Sequence, residues 1–222
     1  RDNGPVETRA FAASGFDAVT LAGPDNVRVV RGAAAGISAT GPQAVLDRLD
    51  IHVEGSTLKV GRKREGLGGM WHFDWKEGGR NHATVTVTMP AIRGAAVAGS
   101  GDMIVDKADG DAFGASVAGS GSLTLASLAV ARAKLDIAGS GNLVAVGSAP
   151  DAEASIAGSG DIDASRLTSD HASISIAGSG NVQVHARQSA EVSIIGSGDA
   201  IVTGTDNCKV SKMGSGSARC TR

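Results

Sequence analysis

The sequence predicts an all-β chain wound as a parallel β-helix, a β-solenoid with rungs of 18–20 residues and wider, irregular coils at its N-terminal end. Three observations predict it. The triplet Gly-Ser-Gly begins at Gly99, Gly119, Gly139, Gly158, Gly178, Gly196 and Gly214, at separations of 20, 20, 19, 20, 18 and 18 residues. Self-similarity at a fixed period marks a stacked-repeat fold. Around each triplet, apolar and polar residues alternate with the period of two that a half-buried strand requires. Finally, 32 glycines among 222 residues and only 3% aromatics leave Val, Ile, Leu and Ala to build the core, which suits thin stacked strands better than Leu-rich helices.

Residues 1–15 read as an N-terminal tail, and 16–222 as one solenoid. Within 16–94 the 20-residue beat is absent, but FDAVTLAG (16–23), NVRVVRG (26–32), LDIHVEG (49–55), STLKVGRK (56–63) and ATVTVTM (83–89) each alternate as strands of wider first coils. Gly41–Arg48 suits a single helical turn, with Pro42 near its start and Val45, Leu46 and Leu49 turned inward to cover the apolar interior. The loop 63–82, KREGLGGMWHFDWKEGGRNH, holds Trp71, Phe73 and Trp75, half of the six aromatic residues. The alternation Trp-His-Phe-Asp-Trp favours a strand packed along the solenoid. If exposed, these rings are the first candidates for a binding surface, since large rigid side chains give contact area at low entropic cost.

The regular repeats occupy 95–222. Two residues before each triplet stand Val97, Val117, Ile137, Ile156, Ile176 and Ile194, with Lys212 as the exception. Four before stand Ala95, Ala115, Leu135, Ala154, Ile174, Val192 and Val210. Both columns point inward, and the residue between them is mostly serine. A second strand follows the triplet, with Met103, Leu123, Leu143, Ile162 and Val182 inward, and a third segment such as Leu128–Val130 completes the rung. Paired glycines let the chain turn without a side chain obstructing the layer above. Directly after the triplets come Asp102, Ser122, Asn142, Asp161, Asn181, Asp199 and Ser217, small turn formers that read as a structural ladder of stacked hydrogen bonds. Calcium-binding nonapeptide repeats carry Gly-Gly-x-Gly-x-Asp at half this period. No metal is therefore expected, and Asp161, Asp163 and Asp199 are the places where a weakly held cation would sit.

Cys208 and Cys220 lie twelve residues apart at the end of the array and read as a terminal disulfide staple in an oxidising compartment, with two reduced thiols as the alternative. A net charge of −2 supplies no field for nucleic acid. No apolar run reaches the roughly 18–20 residues of a membrane helix. Catalysis is not expected either. Polysaccharide-processing β-helices need carboxylates converging on one sheet, but the outward columns are mostly Ser, Ala and Thr. Asp161 with Asp163 is the nearest pair. The five histidines share no phase, and Gly-Ser-Gly is not the Gly-x-Ser-x-Gly of a nucleophile elbow. No cofactor is implied.

The motifs AGSGD, AGSGN and IGSGD resemble those of the bacterial head GIN domain family, described as the head of auto-transporter adhesins. The segments 26–32, 41–60 and 84–102 resemble its lead-in, and CKVSKMGSGSARC (208–220) its ending. The resemblance implies a right-handed parallel β-helix exported by a bacterium to the periplasm or cell surface, without catalytic residues. A polysaccharide, a cell-envelope polymer or another protein is the expected partner. An architectural spacer or homo-oligomerising stalk is the alternative.

Overall fold

The computed structural model describes residues 4–63 and 82–222, and in them the chain is a β-solenoid. Its regular part is built from long strands that bend around the rod: Ala108–Gly119, Ser122–Gly139, Asp161–Gly178 and Asn181–Gly196, with Asn142–Ser148 and Asp151–Gly158 between them. Each coil contributes one segment to a first face and one to a second face. On the first face 114–119, 132–139, 151–158, 171–178, 189–196 and 208–213 pair in parallel register. On the second face 102–105, 122–125, 142–145, 161–164, 181–185, 199–203 and 217–221 do the same. Short segments such as 128–130 complete the section.

The Gly-Ser-Gly corners stack along one edge of the rod. The amides of Ser120, Ser140, Ser159, Ser179 and Ser197 each donate to the first glycine carbonyl of the preceding coil, at 3.0, 2.9, 2.9, 2.9 and 2.9 Å. This close stacking is why the corner demands glycine twice, for different reasons. Gly139 has φ +126°, a left-handed conformation that a Cβ strains. Gly160 has no such φ, but a Cβ there would lie 2.3 Å from the carbonyl oxygen of Gly141 in the coil below.

Between corners, the inward columns Val97, Val117, Ile137, Ile156, Ile176 and Ile194 are buried, as are Leu123, Leu125, Leu135 and Leu143. Phe113 is the largest fully buried side chain among the described residues, so each layer of the core is thin.

The first coils depart from a simple continuation of the stack. Strand Gly94–Gly99 lies on Ala18–Ala22, which lies in turn on Thr57–Arg62; Asp102–Val105 lies on Asn26–Arg31, which lies on Thr84–Met89. The coil formed by 57–62 and 84–89 is therefore farther out than the coil 18–31, although it comes later in the chain. Beyond it the pairing turns antiparallel, with Leu49–Glu54 on Thr57–Arg62 and Gly36–Pro42 on Thr84–Met89. The expected tail at 1–15 is corrected: Val6–Phe11 is a strand, antiparallel to Gly36–Pro42 over six residue pairs. Its alternation Val-Glu-Thr-Arg-Ala-Phe half-buries every second side chain, and Arg9 reaches Glu7 and Asp47. The helical turn forms at Gln43–Leu46 and buries Val45 and Leu46, with Leu49 beside them, over the end of the core.

Candidate ligand-binding groove

Two residues on either side of one inward position decide the shape of the first face. Counting back from each triplet, the sixth residue is inward and is Phe113, Ala133, Ala152, Ala172 or Ala190, all buried. The fifth and seventh residues flank it: Gly114 and Ala112, Lys134 and Arg132, Glu153 and Asp151, Ser173 and His171, Glu191 and Ser189, Lys209 and Asn207. Strict register stacks these positions into two rows, and between them runs a groove of about 800 Å³. Six coils at a strand spacing of about 4.8 Å make it roughly 24 Å long.

The walls are charged, yet their sum is neutral. Lys134 Nζ lies 3.6 Å from Glu153, Lys209 Nζ lies 3.2 Å from Glu191, and His171 Nδ1 shares a 2.8 Å hydrogen bond with Ser189. Arg132 and Asp151 are Cα partners on neighbouring coils, and among the described residues no ion pair engages either. The groove thus presents a guanidinium and a carboxylate side by side over a floor of alanines that ends at Phe113. Such a surface offers both signs of charge, and hydrogen-bonding groups beside them, along its length. Sequence reasoning missed these residues because their columns lack a common chemistry; only counting five and seven residues back from each Gly would have aligned them.

Beside the ladder on the second face is a smaller depression of about 290 Å³, lined by Asp161, Asp163, Asn181, Gln183, Asp199 and Ile201. The ladder residues Asp102, Ser122, Asn142, Asp161, Asn181, Asp199 and Ser217 are successive Cα partners. Asp161 Oδ1 accepts from the Asn181 amide at 3.1 Å and its side chain at 2.9 Å, and Asp199 Oδ1 accepts from the Ser217 amide at 2.9 Å and its hydroxyl at 2.7 Å. The Ser217 hydroxyl holds the Asp199 carboxyl below its ordinary pKa, and the Ser165 hydroxyl does the same for Asp163. These oxygens are engaged within the ladder. Among the described residues no three His, Cys, Asp or Glu side chains gather to hold a metal ion. Cys208 and Cys220 are joined by a disulfide that ties the last strands of the two faces.

Trp71, Phe73 and Trp75 lie outside the described residues. The two positions that bracket their segment do not: Arg62 precedes it and Ala83 follows it. Asp25, 1% exposed, joins them, accepting from Arg62 Nε and Nη2 at 2.8 Å each and from the Ala83 amide at 2.8 Å. It sits in the corner Ala22-Gly23-Pro24-Asp25, which stacks under the first Gly-Ser-Gly, with the Gly101 amide on Gly23 oxygen at 2.9 Å.

The family described as "Putative auto-transporter adhesin, head GIN domain" matches residues 15–206. The chain belongs to the head GIN domain family. Among solved structures, a "Putative lipid binding protein" of Parabacteroides distasonis is 25% identical with a TM-score of 0.76, over 100% of this chain and 98% of the other. A "putative adhesin" of Bacteroides fragilis is 19% identical with a TM-score of 0.81, over 98% and 97%. Another from Parabacteroides merdae is 19% identical with a TM-score of 0.70, over 99% and 97%. No curated protein matches the sequence. Among the described residues, no helix of this head GIN domain is long and apolar enough to cross a membrane.

Proposed function

We propose that this head GIN domain is a non-enzymatic, exported, adhesin-like module that holds an extended polymer of the cell envelope, polysaccharide or polypeptide, along the groove of its first face. The single observation that carries the reading is the groove itself, six coils long, with Arg132 and Asp151 left for a ligand. The Cys208–Cys220 disulfide supports an oxidising compartment, periplasm or cell surface. Family membership supports an adhesive role over a catalytic one. The test is a panel of envelope glycans and proteins probed with the parent and with Arg132→Ala/Asp151→Ala. Binding should fall about tenfold or more as charge-assisted hydrogen bonds are lost. Equal binding by parent and variant to every ligand would contradict the assignment.

A second reading places the contact on Trp71, Phe73 and Trp75. What favours it is Asp25, which fixes both ends of their segment to the rod at the cost of burying a carboxylate. On that reading Trp71→Ala/Trp75→Ala loses binding on the same panel, whereas the groove variant does not.

A further inference from the structure

The C-terminal end of the rod departs from the regular coils before it in two independent ways. The first is apolar exposure. The residue just before each triplet points outward and is alanine at Ala98, Ala118, Ala138, Ala157 and Ala177, but in the last two coils it becomes Ile195 and Met213. Those two are Cα partners and are 59% and 73% exposed. Val210, in a column buried throughout the preceding coils, is 44% exposed at the terminal coil, and Ile201 on the second face is 40% exposed. Among the described residues these are four of the six exposed large hydrophobic side chains. The second departure is charge. Residues 95–205 carry twelve Asp and Glu against five Lys and Arg, whereas 206–222 carry Lys209, Lys212, Arg219 and Arg222 against Asp206 alone.

We propose that this tip is a peripheral docking surface for an anionic phospholipid bilayer, with Ile195, Met213 and Val210 entering the interface and Lys212 and Arg219 meeting the headgroup phosphates. Basic residues ringing exposed apolar side chains are the combination that binds such a surface, through apolar burial and electrostatic attraction together. The charge reversal along the regular coils favours approach by this end, because an anionic surface repels the acidic coils 95–205 and attracts the basic tip that follows them. Like charge also disfavours two tips meeting end to end. The surface is separate from the assignment of the groove: Arg132, Asp151 and the polymer they are assigned to take no part in it.

The experiment is co-sedimentation of the whole chain with vesicles of phosphatidylcholine alone and with 30% phosphatidylglycerol. Binding is expected to the anionic vesicles only and to weaken with salt. Lys212→Gln/Arg219→Gln should weaken it about 25-fold, at about fivefold per charge. Ile195→Ser/Met213→Ser should weaken it severalfold, and Arg132→Ala/Asp151→Ala should leave it unchanged. Circular dichroism of each variant establishes that the coils remain folded. No binding to anionic vesicles would overturn the proposal, as would equal binding by both tip variants. Self-association of the parent in sedimentation velocity, abolished by the tip variants, would assign the surface to a second copy and overturn it as well.

Discussion

The regular coils and the first coils solve the same corner in opposite ways. From Gly99 onward the corner is made of absence: two glycines without Cβ atoms let each coil lie against the one below, and backbone amides of one coil donate to glycine carbonyls of the coil before it. At the first coils the corner between Arg62 and Ala83 is instead made of a side chain, the buried carboxylate of Asp25 holding both. A repeating corner needs only space that every coil leaves free. A unique corner needs a unique bond.

That contrast can be broken by mutation, and the two largest effects should come from filling the space and from removing the bond. Gly160→Ala places a Cβ 2.3 Å from the Gly141 oxygen and 2.8 Å from Ile137. It should destabilise the rod by about 3 kcal/mol, the upper end of the overpacking scale, as read from chemical denaturation. Asp25→Ala should cost about 3 kcal/mol by removing the buried carboxylate that accepts from Arg62 and the Ala83 amide. Because both tryptophans lie within the segment it anchors, their fluorescence should change in this variant and not in Gly160→Ala.

Smaller effects sharpen the account of the regular coils. Ser169 is 1% exposed and its hydroxyl has no hydrogen-bond partner among the described residues, so Ser169→Ala should stabilise by about 1 kcal/mol. The smallest effects are in pH. Burial holds the Asp136 carboxyl above its ordinary pKa, so its ionisation disfavours the folded state and stability falls as pH rises just above the usual aspartate range. Asp136→Ser, which restores the serine of that column, should remove this fall. Asp199 has the opposite sign. Held low by Ser217, it contributes stability present above the usual aspartate pKa and lost as pH drops through its depressed value, a loss that Asp199→Ser should abolish in acid titrations of stability.

Much of the fold was legible because one period repeats seven times: the inward columns at Val97 and Ala95, the turn residues after each triplet and the helical turn over Val45 and Leu46 all follow from local alternation. The spatial order of the first coils was not legible. Strands 18–22 and 57–62 have the same alternation, and nothing in either says which lies nearer the repeats; that is decided by long-range pairing. Strand Val6–Phe11 was missed because an edge strand buries little and its glutamate and arginine suggest a solvated tail. The groove was missed for a related reason. Its walls mix Arg, Asp, His and Ser in one column, and only the register makes them neighbours.

The most direct test of the stacked-corner account is amide hydrogen exchange at Ser120, Ser140, Ser159, Ser179 and Ser197. Their side chains are exposed to water, yet each amide donates to the coil below, so all five should exchange slowly, with protection close to that of the buried strands. Exchange of these five amides at the rate of Ser56, in an exposed turn, would contradict the account.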